Sequence, residues 1–144
     1  MSQTTALPHP DFNLSDIENN LVKLGLSDEE IVALFGYRTL GFLSNKFNEH
    51  EKRWSINPYV FDNNYYKELL DKDSVYLKTP SDLVLLNESR FRQYVENYAK
   101  DQKAFFNSFS KMFVKVSELG SNRLVSEVES YNQVEEKSNK CPLF

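Results

Sequence analysis

The chain has 144 residues and a formal net charge of −4, with 17 basic and 21 acidic side chains mixed along its length. No basic patch interleaved with aromatics is present, which disfavours nucleic-acid binding, and no apolar run approaches the roughly 18 residues that a bilayer span needs. One cysteine, Cys141, excludes an internal disulfide and points to a reducing compartment, while eleven Phe, eight Tyr and only four Gly suit a helical domain with a bulky core.

Residues 1–13 read as an extended arm, because Pro8 and Pro10 block a helix, and the arm carries no apolar signal core. Ser15-Asp16-Ile17-Glu18 predicts a capping box and a short helix with Ile17, Leu21 and Leu24 on one face, stopping at Gly25. Ser27-Asp28-Glu29-Glu30 predicts a second capping box and a helix carrying Ile31, Leu34, Phe35 and Arg38. No period holds from Phe42 to Asp62. Asp62 or Asn63 then caps a helix through Tyr66, Leu69 and Leu70.

Val75-Tyr76-Leu77 is β-prone and predicts one arm of a small hairpin. Pro80 starts a short helix with Asp82, Leu85 and Leu86. Asn87 is read as the cap of the next helix, where Phe91, Tyr94, Val95 and Tyr98 recur at helical spacing. Asp101 caps another, with Phe105, Phe106, Phe109, Met112, Phe113 and Val116 as a wide apolar face ending at Gly120. Core packing explains that face better than a cofactor box. The expectation is an all-α domain over 14–120, between the arm 1–13 and a weakly helical to disordered tail, 121–144, in which Leu124, Val125, Val128 and Tyr131 are faintly amphipathic.

His9 and His50 lie far apart and read as surface groups. No Ser/His/Asp set, phosphate loop or Cys/His metal motif is visible, so a new catalytic activity has no support. Cys141-Pro142-Leu143-Phe144 has the form of a prenylation box, although Lys137 and Lys140 stand among acids and four-residue patterns arise often by chance.

Ile31 to Gly41 reads Ile-Val-Ala-Leu-Phe-Gly-Tyr-Arg-Thr-Leu-Gly. It resembles the proximal haem helix of the class I haem peroxidases (ascorbate peroxidase and cytochrome c peroxidase), whose pattern is Val-Ala-Leu-x-Gly-Ala-His-Thr-Leu-Gly. The block from Trp54 to Leu70, the turn Thr79-Pro80-Ser81-Asp82 and the stretch from Tyr98 to Phe106 resemble further family motifs in family order, from about Leu7 to Gly120 in all. The likeness implies the proximal half of the peroxidase fold, with no distal lobe ahead of Met1.

What the resemblance implies for chemistry follows residue by residue. The axial histidine falls at Arg38, which stays protonated and has no lone pair for iron. The carboxylate that orients that histidine falls at Asp82, and the proximal tryptophan falls at Trp54. An Arg38–Asp82 salt bridge is expected, two-pronged and stacked on Trp54, although Asp82 also suits a plain helix cap. The propionate histidine of ascorbate peroxidases falls at Ser44 and their ascorbate-binding arginine at Phe47. Their potassium-binding side chains fall at Thr39, Ser55, Asn57 and Asp62, all of which offer oxygen to a structural monovalent cation.

The resemblance therefore implies a catalytically inactive, haem-free half-domain that serves as a structural or accessory subunit. A protein partner, a distal-lobe-like chain or a subunit of a large complex, is expected to cover the former haem face. The alternatives are one half of a split haem peroxidase with a non-histidine ligand, where Tyr37 is adjacent but, as the next residue on a helix, points about 100° away, and a membrane-surface protein prenylated at Cys141. The wording closest to cytochrome c peroxidase tips the expected compartment from cytosol toward the mitochondrion.

Overall fold

A computed structural model of the protein describes residues 8–42 and 52–119, and every regular element among them is helical. In chain order these are α1 (Leu14–Ile17), continued by a π-turn over Glu18–Val22, and α2 (Asp28–Phe35), continued by a 3₁₀ turn over Gly36–Thr39. After them come α3 (Asn64–Leu70), α4 (Pro80–Asn87), α5 (Ser89–Lys100) and α6 (Gln102–Glu118). The chain divides into two compact units, Met1–Phe113 and Val114–Phe144. Of the second, residues 114–119 are described; there the Leu119 N–H closes the helix end onto Lys115 O and Val116 O.

Phe91, Val95 and Tyr98 form one stripe along α5, and all three are buried. That stripe puts α5 in the middle of the first unit, packed against α2, α3 and α4. Around it lie Ile31, Leu34 and Phe35 from α2, Tyr65, Tyr66 and Leu69 from α3, and Leu85 from α4, all buried. Each large apolar side chain so buried stabilises by about 1.5–3 kcal/mol. On α6 the buried stripe is narrower than its run of aromatics suggests: Phe105, Ser108 and Met112 are buried, whereas Phe113 is 60% exposed.

The helix starts follow from local hydrogen bonding. Ser27 Oγ accepts from the Glu30 N–H while the Glu30 carboxylate accepts from the Ser27 N–H, the predicted reciprocal cap. Asp101 Oδ1 accepts from the Ala104 N–H, and Pro80 occupies the first turn of α4. The first helix is capped two residues earlier than expected, by Asn13 with Asp16 rather than Ser15 with Glu18. Asn13 has the extended backbone a cap requires, while Glu18 already lies in the π-turn. Asn87 is no cap either: it is the last residue of α4, and extended Glu88 makes the corner into α5.

The expected hairpin is absent, with no strand among the described residues. Leu77 donates one backbone hydrogen bond to Arg53 O, and Val75 is 83% exposed. A single bond to an irregular segment cannot build a ladder. Among the described residues no helix is long and apolar enough to cross a membrane.

Candidate functional site

The apolar run of α2 buries five consecutive residues, Ile31 to Phe35, so the turn that follows is driven into the interior. There the helix tightens to 3₁₀ geometry and delivers Arg38 to the core with no solvent exposure. Gly36 makes this approach possible. A Cβ at Gly36 would overlap the Phe105 ring and come within 2.5 Å of the Tyr66 hydroxyl. That hydroxyl is fixed in turn, donating to Val32 O at 2.7 Å.

Arg38 meets Asp82 at 2.5 Å, and both side chains are fully buried. The pairing is one-pronged, not two-pronged: Nη1 bonds Oδ1, because Oδ2 is already taken. Oδ2 accepts from the Trp54 indole N–H at 2.9 Å, from the Thr79 N–H at 2.7 Å and from the Thr79 hydroxyl at 2.8 Å. Oδ1 accepts a second bond from the Tyr65 hydroxyl at 2.5 Å. One carboxylate thus caps its own helix and holds the arginine, the two roles that the residue pattern offered as alternatives. Arg38 Nη1 also reaches Ser81 Oγ at 2.9 Å and Thr79 Oγ1 at 3.1 Å, and Nη2 donates to Pro8 O at 3.1 Å.

The guanidinium carbon lies 5.4 Å from the Trp54 ring centroid and closer, 4.7 Å, to that of Phe35. Two aromatic faces therefore help offset the desolvation of the cation, whose Nε–H has no acceptor among the described residues. Phe35, Tyr65, Thr79, Ser81 and the Pro8 carbonyl join Arg38, Trp54 and Asp82 here, although the sequence marked none of them as a site residue and gave Thr79 and Ser81 only as part of a resembling turn. Burial presses the guanidinium toward its neutral form. The oxygens of Tyr65, Asp82 and Tyr37 more than reverse that and hold it above its ordinary range, so Arg38 is a permanent cation.

Burial also raises the Tyr65 phenol, helped by the Asp82 charge, the Tyr66 phenol, helped by Tyr98, and the Tyr98 phenol, helped by Glu29. The sign of the linkage is fixed by these upward shifts. The folded state keeps protons that the unfolded chain releases above about pH 10, so stability is whole below that pH and falls as pH rises beyond it. In an alkaline titration, phenolate absorbance from these three tyrosines is expected to appear only together with loss of helical circular dichroism. Complete ionisation of all eight tyrosines ahead of any unfolding would contradict the buried network.

The second group of residues also converges. Thr39 Oγ1 donates to Asp62 Oδ1 at 2.8 Å, and Ser55 Oγ donates to Thr39 O at 2.8 Å and lies 3.3 Å from Asn57 O. The Asn57 side chain turns away and accepts from the Tyr59 N–H, so this residue offers its carbonyl rather than its amide. Five oxygens from Thr39, Ser55, Asn57 and Asp62 are linked in this way, with one carboxylate among them. No group of three or more His, Cys, Asp or Glu suited to a metal occurs among the described residues. His9 is 63% exposed, lies 3.7 Å from Asp11 and has the Phe12 ring 6.0 Å away. Ser44, Phe47, His50 and Cys141 lie outside the described residues.

The family model described as Peroxidase matches residues 1–101. The chain belongs to the peroxidase family. It is 47% identical over 100 residues to "L-ascorbate peroxidase 1, cytosolic" of Oryza sativa subsp. japonica, a match covering 68% of this chain and 40% of that protein. It is 38% identical over 116 residues to "L-ascorbate peroxidase 2, cytosolic" of Arabidopsis thaliana, covering 79% of this chain and 46% of that one. "Probable L-ascorbate peroxidase 3, peroxisomal" of Oryza sativa subsp. japonica is 40% identical over 115 residues, covering 79% and 40% respectively. The chain thus spans less than half the length of these relatives.

Proposed function

We propose that this chain is a peroxidase-family module without haem chemistry of its own, serving as a structural or accessory subunit in a protein assembly. The observation that carries the reading is Arg38. Where the resemblance puts the axial ligand of the haem iron stands a buried cation with no lone pair, engaged by Asp82, Ser81, Thr79 and Pro8. Tyr65, Trp54 and His9 do not fit an axial ligand either. Tyr65 and Trp54 spend their polar hydrogens on Asp82, and His9 is on the surface. A partner is supported by the apolar side chains that the loops near the site leave bare: Phe42, Ile56, Val60 and Tyr59, the last 81% exposed.

The test is recovery of the chain from its native source, with an absorption spectrum and mass spectrometry of what accompanies it. Haem-free recovery among the subunits of one complex is the expected result. A Soret band with a single partner resembling a distal lobe overturns the proposal and makes the pair a split peroxidase with another axial ligand. An intracellular reducing compartment is part of the reading, supported by the lone cysteine and by relatives whose names are cytosolic or peroxisomal. The mitochondrion has only the resemblance of the last helices behind it.

A structural monovalent cation at Thr39, Ser55, Asn57 and Asp62 is proposed on the convergence of their oxygens. The melting temperature is then higher in potassium chloride than in choline chloride at equal ionic strength, and Asp62→Asn abolishes the difference. Identical melting curves in the two salts would remove the ion.

A further inference from the structure

The arm that precedes α1 is held by the residues that fill the site. Arg38 Nη2 donates to Pro8 O at 3.1 Å, and the Ser81 N–H donates to Pro10 O at 3.0 Å. The two donors are tied to each other, since Ser81 Oγ accepts from Arg38 Nη1 at 2.9 Å. Ser81 lies in the first turn of α4, where a backbone N–H has no partner within the helix. Pro8 is buried, while His9 and Asp11 are exposed. The Nδ1 of His9 accepts from the Asp11 N–H at 3.2 Å.

Chain chemistry explains why this sequence suits the position. Pro8 O and Pro10 O go to this pair of donors, the second from within a turn that the Phe12 N–H closes onto His9 O at 3.1 Å. A proline at each of these positions has no N–H to satisfy, so Pro-X-Pro offers two acceptors and nothing that competes with them. Its φ angles are set in advance, which lowers the entropy lost on docking. The donors match: one is a buried guanidinium N–H, a charge-assisted donor, and the other is an orphan amide at a helix start. The central side chain, His9, is 63% exposed.

We propose that Arg38 and Ser81 form a binding site for a Pro-X-Pro segment that runs into a turn, filled in cis by Pro8–His9–Pro10. The arginine at the ligand position is therefore a peptide anchor as well as a counter-ion for Asp82.

The experiment uses the full chain carrying Pro8→Gly and Pro10→Gly, changes that keep both carbonyls but free the arm. By hydrogen exchange, the Ser81 amide is expected to exchange about tenfold faster than in the unaltered chain, with the amides of α5 unchanged. A synthetic peptide of residues 6–12, added at several millimolar, then restores its protection in the variant and leaves the unaltered chain unaffected. Should the variant fail to fold, recovery of its helical circular dichroism on adding the peptide is the equivalent positive result. The proposal is overturned by unchanged Ser81 exchange in a folded variant. It is also overturned if the peptide has no effect, or if a peptide with both prolines replaced by alanine acts as well. Equal binding of the peptide by the unaltered chain would show that the arm does not occupy the site.

Discussion

Arg38→Met is expected to destabilise the folded chain by about 3–5 kcal/mol, the usual cost of leaving one member of a buried ion pair without the other. Both side chains are fully buried, so water cannot replace the lost guanidinium. Asp82 would keep four donors, from Tyr65, Trp54 and the Thr79 N–H and hydroxyl. Those bonds place the loss toward the lower end of the range. A small domain commonly has only about 5–15 kcal/mol in all. Asp82→Asn alone should cost a similar amount, since it strands the cation. The two losses should not add: the double variant is expected to recover at least about 2 kcal/mol against their sum, read from urea unfolding of the four proteins in a double-mutant cycle. Strict additivity would mean that the pair stores no mutual stabilisation.

The other large effect is expected from the smallest substitution available, Gly36→Ala. Helix propensity alone favours alanine by up to about 1 kcal/mol. Packing reverses the sign, because the new methyl would overlap the Phe105 ring and press on the Tyr66 hydroxyl, which is anchored to Val32 O. Phe105 cannot swing freely either, since it lies 5.4 Å from the Phe61 ring centroid and 5.0 Å from that of Tyr66. Overpacking of this kind costs about 1–3 kcal/mol, so a net loss near 2 kcal/mol is expected in thermal or urea unfolding. Adding Phe105→Leu should return part of that loss by vacating the contact. A neutral or stabilising Gly36→Ala would show that the turn has room the geometry does not allow it.

Legibility tracked distance along the chain. Ser27 with Glu30, Pro80, and Asp101 with Ala104 were readable because a helix start is decided within four residues. The same shortness misled at the first helix, where Asn13-x-x-Asp16 and Ser15-x-x-Glu18 both fit the pattern and only backbone conformation separates them. The centre of the site was visible through resemblance, which marked Arg38, Trp54 and Asp82. Its completion was not. Tyr65 reaches Asp82 across 17 residues, Pro8 reaches Arg38 across 30, and Ser81 reaches it across 43. None of these carries a local signature, because a tyrosine on a helix or a serine after a proline is ordinary until the fold brings it to a charge. The two-pronged pairing failed for a different reason: Oδ2 is taken by the local capping donors of Thr79 and by the Trp54 N–H, so the oxygen the arginine would have needed is already engaged.

The bond between the Trp54 indole and Asp82 gives the protein a reporter of its own. Trp54 is the sole tryptophan in the chain, it is nearly buried, and its N–H rests on the same carboxylate that Arg38 neutralises. All indole emission therefore comes from one point, with a carboxylate at the pyrrole edge and a cation over the ring. Its wavelength and intensity read the state of a single ionic contact, while the eight tyrosines register the molecule at large.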